Sequence, residues 1–244
     1  MEKLKTLSFT KKWFFTLIAL LAGWFLVETV GMLTNWIGWW HINSMFEYYL
    51  IDYDYEVLES IKNWELAITG ISRLLFLVAV VLLTVYVGKV AWQFKQEGRL
   101  LLSIGMGALL LVTWLGVLAS MTQSLFTLSD VYDWGWDAEW GNTVFRIFWW
   151  GYALLASLFF IVLGGMMAFM CGGRLRLGGV LFILYGFLVL IGQVQSEFLT
   201  PVLLKNDMHA LFRLLNIALN LITDALFVAA LGIGLGRKQT PEAA

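Results

Sequence analysis

The chain has few of the residues on which soluble and secreted domains depend. Of its 244 residues only 14% are charged, two are proline and one is cysteine, whereas a soluble domain usually has about 25% charged residues. The single Cys171 excludes an intrachain disulfide and a thiolate-rich metal site. The net charge of -1 does not provide the basic surface that nucleic acid requires. Disorder and collagen-like repeats are excluded by the same composition.

Apolar side chains are in excess, since 60% of the residues are hydrophobic and 13 are tryptophan. A single soluble core cannot hide that excess, because a soluble domain must cover its outside with polar groups. Six continuous apolar runs exceed the length of about 20 residues that a helix needs to cross a bilayer. They lie approximately at 13–40, 66–92, 100–127, 143–171, 175–200 and 209–236. The sequence therefore predicts an all-α polytopic membrane protein, with six transmembrane helices bundled in a single domain over residues 1–244 and no soluble domain.

The basic residues near the ends of these runs predict the orientation of the chain. One set of flanks contains eleven lysines and arginines, while the opposite loops contain only Lys62 and Lys205. The eleven are Lys3, Lys5, Lys11, Lys12, Lys89, Lys95, Arg99, Arg174, Arg176, Arg237 and Lys238. Because basic flanks stay on the cytoplasmic side, we expect a plasma (inner) membrane protein whose N- and C-termini are both cytoplasmic.

Two segments on the opposite side have a composition of their own. Residues 41–65 place apolar side chains at helical spacing against acidic ones, which predicts an amphipathic helix lying in the outer interface. Residues 128–142 form a short cap rich in acidic residues and tryptophan. The expected partners are the lipid bilayer and other membrane protein subunits that contact these two outer segments.

A weak internal repeat of three two-helix hairpins is one interpretation of the arginine positions. Arg73, Arg146 and Arg213 each come early in an even-numbered span and are followed by apolar residues. The third and fifth spans both begin with Gly-Arg-Leu. The alternative is that any helix entering from that side tolerates an arginine near its start, because the long side chain reaches back to the headgroups.

Two carboxyl groups lie too deep in their spans for that explanation. Glu28 and Asp224 are each at least eleven residues from either end of a span, and a carboxylate side chain is too short to reach the interface from there. A charged group at that depth is costly and marks a candidate functional site. Arg73, about seven residues inside its span, is the candidate counter-ion.

Amides accompany both acids at helical spacing. Asn35 lies on the same helix face as Glu28, and Asn216, Asn220 and Asp224 follow one another at i, i+4 and i+8. Amide side chains in a membrane can also form hydrogen bonds between helices, so a structural role fits the asparagines equally well. An ion pair between Arg73 and either acid is the corresponding structural interpretation of the charges.

The balance of deep charges favours a cationic substrate. Two acids against one arginine leave one negative charge unbalanced, as expected for a proton or cation site. We therefore expect a small transporter or channel-like protein that handles a proton, a cation or a small polar solute near the membrane midplane. Its predicted binding residues are Glu28, Asn35, Arg73, Asn216, Asn220 and Asp224.

The main alternative is a non-catalytic subunit or assembly factor of a larger membrane protein complex. The chain has no nucleophile-elbow sequence and no Walker A sequence. Its acidic loop does not have the ligand spacing of a calcium-binding EF-hand. The sequence therefore predicts no enzymatic activity, no metal site and no cofactor.

Overall fold

All of the described residues lie in helices or in the short turns that join them. The computed structural model of the chain describes residues 2–49, 55–132, 138–199, 202 and 209–235. Side chains are described at 12–34, 36–38, 60, 63–64, 66–119, 147–195, 198–199, 202, 211 and 214–235. The helices are α1 (Glu2–Tyr49), α2 (Tyr55–Gln96), α3 (Leu100–Tyr132), α4 (Ala138–Met170), α5 (Gly173–Val194) and α6 (His209–Leu235), and a π-helical turn, Gln195–Leu199, continues α5.

Six of these helices, within the described residues, are long and apolar enough to cross a membrane. Their apolar segments are Lys12–Gly38, Leu66–Gln96, Leu100–Ala119, Ile147–Met170, Gly173–Val194 and Leu214–Leu235. The six predicted apolar runs are thereby confirmed as helices. Large apolar side chains are exposed along all six, and Phe169 is 91% exposed. This exposure is compatible with a multi-pass membrane protein, because lipid would cover these surfaces.

The segment 41–65 differs from the predicted separate amphipathic helix. Helix α1 continues through Tyr49 and α2 begins at Tyr55, so both ends of the segment extend the flanking helices. The physical reason is that residues 39–69 contain neither glycine nor proline, and nothing in the sequence stops α1 where its apolar run ends. The prediction of one independent interfacial helix is therefore wrong for the described parts of the segment.

The turn between α2 and α3 has a clear local cause. Gly98 has φ +74°, a left-handed conformation that glycine adopts without the cost of a Cβ. Its N–H donates to the carbonyl of Lys95 over 3.1 Å, and the N–H of Arg99 donates to that of Phe94 over 2.8 Å. This pair of hydrogen bonds is a Schellman motif, which ends α2 and lets α3 begin two residues later.

The chain divides into two compact units. The first unit is Met1–Ala79 with Val202–Ala225, and the second unit is Val80–Pro201 with Leu226–Ala244. Helices α2 and α6 contribute their earlier parts to the first unit and their later parts to the second. The single-domain organisation and the hairpin repeat stay predictions.

The second unit is packed through glycines. A Cβ added to Gly179 on α5 would lie 2.6 Å from the carbonyl oxygen of Gly164 on α4, and one added to Gly186 would lie 2.7 Å from that of Ser157. A Cβ added to Gly178 would come closer still to the Cα of Gly234 on α6. Since Cβ atoms essentially never approach other atoms that closely, only glycine allows these backbones their present separation.

Aromatic rings fill the space next to those contacts. Phe160 stacks on Phe182 with ring centroids 5.5 Å apart, and the edge of Tyr185 meets Phe160 at 4.7 Å. Phe227 on α6 contacts Tyr185 at 5.3 Å. Phe182 is fully buried, and Phe160 and Phe227 are nearly so. These four residues therefore form an aromatic part of the core of the second unit.

Candidate functional site

The candidate site lies in the first unit, where α1 and α2 pack as an antiparallel pair. The rings of Trp24 and Phe76 lie 4.8 Å apart. A Cβ added to Gly31 would lie 2.7 Å from Cγ2 of Ile68. Residue numbers rise along α1 as they fall along α2, as antiparallel helices require. Glu28 lies on the same face of α1 as Trp24 and Gly31, so the helix pairing directs its carboxylate toward α2.

The residue opposite Glu28 is a serine. The Ser72 hydroxyl donates a short hydrogen bond to Oε2 of Glu28, and Ser72 is only 1% exposed. A hydrogen bond to a carboxylate is stronger than one between neutral groups, so this contact fixes the Glu28 side chain. The sequence alone does not single out Ser72 as a site residue. The sequence shows only that Ser72 lies one helical turn after Ile68 and therefore on the same face of α2. The structure shows that this face pairs with α1.

Two more charged side chains act on Glu28. Arg73, next to Ser72 on α2, interacts electrostatically with Glu28, and so does Asp224 on α6. All three side chains are half-buried. Neither acid forms an ion pair with a basic side chain among the described residues. The ion pair found there, within 4 Å, joins Arg99 and Glu97. Glu28 is thus within electrostatic range of both Arg73 and Asp224, and their role as binding residues stays a prediction.

Exposure changes along the face of α6 that carries the amides. Asn220 is exposed and Asp224 is half-buried, while Phe227 and Leu231, further along the same face, are buried. The opposite face is exposed as well, at Leu214, Ala218, Ile222 and Ala225. Exposure therefore falls along the amide-bearing face from Asn220 through Asp224 to Phe227, and the amide is the accessible polar group of the first half of α6 among the described side chains. Asn216 is half-buried on this face and is not without a partner.

The hydroxyl groups beside the two acids are engaged with their own helices. Thr29, the residue after Glu28, donates to the carbonyl of Phe25 over 2.7 Å. Thr223, the residue before Asp224, donates to the carbonyl of Leu219 over 2.7 Å. Of the hydroxyl groups next to Glu28, that of Ser72 is the one that reaches across to another helix. Among the described residues no cluster of three or more histidine, cysteine or acidic side chains could hold a metal ion.

Several predicted features fall outside the described residues. The side chains of Asn35, Arg146 and Arg213 are among them, so the role of Asn35 and the arginine pattern of the repeat stay predictions. Most side chains of the outer segments 41–65 and 128–142 also lie outside the described set. Contacts with partner subunits there, and the alternative of a subunit or assembly factor, are likewise predictions.

The chemical capacity of the described residues follows from their charges. A guanidinium group stays protonated in proteins and supplies a permanent positive charge. Glu28 and Asp224 are both acidic, and two carboxylates that interact in a poorly solvated setting repel each other. Binding a cation or a proton would relieve that repulsion.

Comparison of the chain with protein-family models, with curated proteins and with solved structures gives no significant match. The function is therefore inferred from the geometry and charges of the first unit.

Proposed function

We propose that the protein is a multi-pass membrane protein that moves a proton or a small cation across the bilayer. Glu28 and Asp224 are the binding groups and Arg73 is their counter-charge. The observation that carries the proposal is the hydrogen bond from Ser72 to Glu28, which holds a carboxylate inside an apolar segment and opposite the part of α2 that carries Arg73. The electrostatic effects of Arg73 and Asp224 on Glu28 support it. A structural salt bridge needs one acid and one base, whereas this cluster contains a second acid.

The position of the cluster along the helices supports the same function. Glu28 and Asp224 lie inside the apolar segments Lys12–Gly38 and Leu214–Leu235, and Asp224 is the one charged residue of its segment. Ionisable side chains at such positions are costly and commonly mark pathways for ions and protons. Asn220 gives this part of α6 an accessible polar side chain about 6 Å before Asp224.

The orientation belongs to the proposal as well. We place both termini in the cytoplasm and the protein in the inner membrane, because the basic flanks lie on the side of the termini. The end of α6 at which Asn220 lies then faces outward. The accessible amide and the half-buried acid would form the outer part of the pathway.

Charge movement in reconstituted vesicles tests the proposal for several candidate ions at once. Vesicles of phosphatidylethanolamine and phosphatidylglycerol containing the full chain are adsorbed on a solid-supported membrane and exposed to steps in pH, Na⁺ and K⁺. We expect transient currents above those of protein-free vesicles. Asp224→Asn should reduce them to the protein-free level, since the amide cannot alternate between charged and neutral forms.

The matched control is Ser157→Ala, which removes a fully buried hydroxyl that donates only to its own helix, at the carbonyl of Leu154 over 2.9 Å. This variant should keep the currents of the wild type. Asp224→Glu, which retains a carboxyl group, should keep part of them. Elution of Asp224→Asn as a single symmetric species from size-exclusion chromatography confirms that it folds. Wild-type currents in that folded variant would make Asp224 a structural residue and contradict the proposal.

A further inference from the structure

We infer that the second unit binds the headgroups of anionic phospholipids on a basic surface at one end of its helices. The basic surface combines exposed cationic and exposed aromatic side chains, namely Trp92, Lys95, Arg99, Phe169, Arg174 and Arg176. The inference goes beyond the proposed function, since it concerns the second unit and involves no ion pathway. It shares with that function only the multi-pass arrangement in a bilayer.

Helix contacts bring these residues to one end of the second unit. Gly105 on α3 lies against Leu163 of α4. Gly116, further along α3, lies against Tyr152, which comes earlier on α4, so the two helices are antiparallel. Helix α5 pairs with α4 through the glycine contacts described above, and α2 is joined to α3 by the turn at Gly98. Since packed helices lie about 8–10 Å apart, the α2–α3 turn and the α4–α5 turn lie at the same end, within about two such spacings.

The charge at this end has one sign. The described side chains of the second unit at 80–119, 147–195 and 226–235 include five basic residues and one acid, all exposed: Lys89, Lys95, Arg99, Arg174, Arg176 and Glu97. Glu97 forms an ion pair with Arg99, with Oε2 and Nε 3.8 Å apart. The net charge of +4 that remains is complementary to an anionic partner.

The basic residues lie at the depth of lipid headgroups. The apolar segment of α2 ends one residue after Lys95, that of α3 begins one residue after Arg99, and that of α5 begins one residue before Arg174. Because an apolar segment spans the hydrocarbon layer, its ends lie at the headgroups. Basic side chains at this position are attracted to anionic lipids, and a guanidinium group can bind a phosphate through two parallel hydrogen bonds.

Exposed apolar side chains beside the charges favour a lipid over another anionic partner. Trp92 is 60% exposed, and the Lys95 Nζ lies 5.4 Å from the centroid of its ring. Phe169, next to the end of α4, is 91% exposed. An acidic protein or a nucleic acid would cover the charges and leave the aromatic side chains in water. A phospholipid covers both, since its acyl chain contacts the rings while its phosphate contacts the cations.

Native mass spectrometry of the full chain in a non-ionic detergent tests the inference. Phosphatidylglycerol is the anionic probe, and phosphatidylcholine with the same acyl chains is the zwitterionic one. We expect tighter binding of phosphatidylglycerol, and this preference should weaken as ionic strength rises. Arg174→Gln should weaken the binding of phosphatidylglycerol about fivefold, the effect of one basic residue near an anionic surface. Lys95→Gln, on another helix, should have the same effect and keeps the test valid if Arg174→Gln fails to fold.

Two further variants separate the basic surface from overall charge. Lys12→Gln is the matched control, because it removes one exposed positive charge from the start of the apolar segment of α1, in the first unit. This variant should keep the wild-type affinity. Glu97→Gln should bind phosphatidylglycerol more tightly, because it releases Arg99 from its ion pair.

Three outcomes would overturn the inference. Equal affinity for the two phospholipids would exclude recognition of the anionic headgroup. Equal weakening by Arg174→Gln and Lys12→Gln would show that binding follows overall charge rather than this surface. Competition by glycerol 1-phosphate at the concentration at which the lipid itself competes would show that the acyl chain is not needed and that the ligand is a free phosphate. Each outcome leaves the currents expected from the proposed function unaffected, so the two proposals fail separately.

Discussion

The two units of the chain differ in what holds their helices together. In the second unit, α4, α5 and the end of α6 approach through glycines and bury a cluster of aromatic rings. In the first unit, the contact between α1 and α2 includes a serine–carboxylate hydrogen bond, and charged side chains of α2 and α6 act on Glu28. Apolar contact stabilises the second unit, whereas the first unit retains groups that can change charge.

This difference separates stability from function in a way that mutations can test. Close helix contacts through glycine are stabilised by dispersion between many pairs of atoms. This stabilisation does not depend on the charge of any side chain. Charged groups in a membrane are costly and are retained where they serve a purpose. Changes in the second unit should therefore lower stability and spare charge movement per folded molecule. Changes at the charged cluster should lower charge movement per folded molecule, with a smaller loss of stability than changes at the close glycine contacts.

The largest expected effect is that of Gly179→Ala in the second unit. The added Cβ would lie 2.6 Å from the carbonyl oxygen of Gly164 and 2.7 Å from the amide nitrogen of Ala168. Both are backbone atoms, so the helices must separate to admit the methyl group. We expect a loss of about 3 kcal/mol in the free energy of unfolding, seen as a lower midpoint of thermal unfolding in detergent.

Gly165→Ala is the matched control, because a Cβ at Gly165 on α4 would meet no atom within 4 Å. Alanine favours the helix over glycine by about 1 kcal/mol, so this variant should keep or raise the unfolding midpoint. Equal losses for the two variants would mean that the close contact between α4 and α5 contributes nothing specific.

The sequence predicted the fold well where continuous apolar runs determined it. All six runs are helices, because a run of that length leaves backbone groups no better partner than their own helix. The packing between helices was harder to predict from the sequence. Gly164, Gly179 and Gly186 resemble other glycines in the sequence, and the helix pairing alone distinguishes those that touch a neighbouring backbone.

The candidate site was predictable to a similar extent. Glu28, Arg73 and Asp224 stood out because charge is rare in the apolar runs, and Glu28 interacts electrostatically with the other two. Ser72 did not stand out, since serine is tolerated anywhere in a membrane helix and gains meaning only from its position opposite Glu28. The accessibility of Asn220 depends on which helices lie beside α6, which periodicity does not show.

A smaller effect is expected from charge balance in the first unit. Arg73→Gln removes the counter-charge and leaves Glu28 and Asp224 to repel each other, which should cost about 1–2 kcal/mol after allowance for partial solvation. Adding Asp224→Asn to Arg73→Gln removes that repulsion and should restore about half of the loss. Thermal unfolding in detergent of the two single variants and the double variant gives the coupling. Strictly additive effects would show that Arg73 and Asp224 do not share a site.

The smallest expected effect concerns a hydrogen bond of the second unit. The Tyr86 hydroxyl on α2 donates to the carbonyl of Leu235 over 2.6 Å in a buried position. That carbonyl is one of the last four of α6, which have no partner within the helix. Tyr86→Phe should therefore lower the free energy of unfolding by about 1 kcal/mol, measured by thermal unfolding in detergent.

Ser72→Ala provides the direct contrast, because it too removes one buried hydroxyl donor, but in the first unit. Tyr86→Phe should lower the unfolding midpoint and leave currents per folded molecule unchanged. Ser72→Ala should reduce the currents with a smaller change in the midpoint, since its partner Glu28 is half-buried and is left without a donor in a partly accessible position. If Tyr86→Phe reduced the currents as much as Ser72→Ala, stability and charge movement would not be divided between the units, and the hydrogen bond at Leu235 would itself belong to the transport pathway.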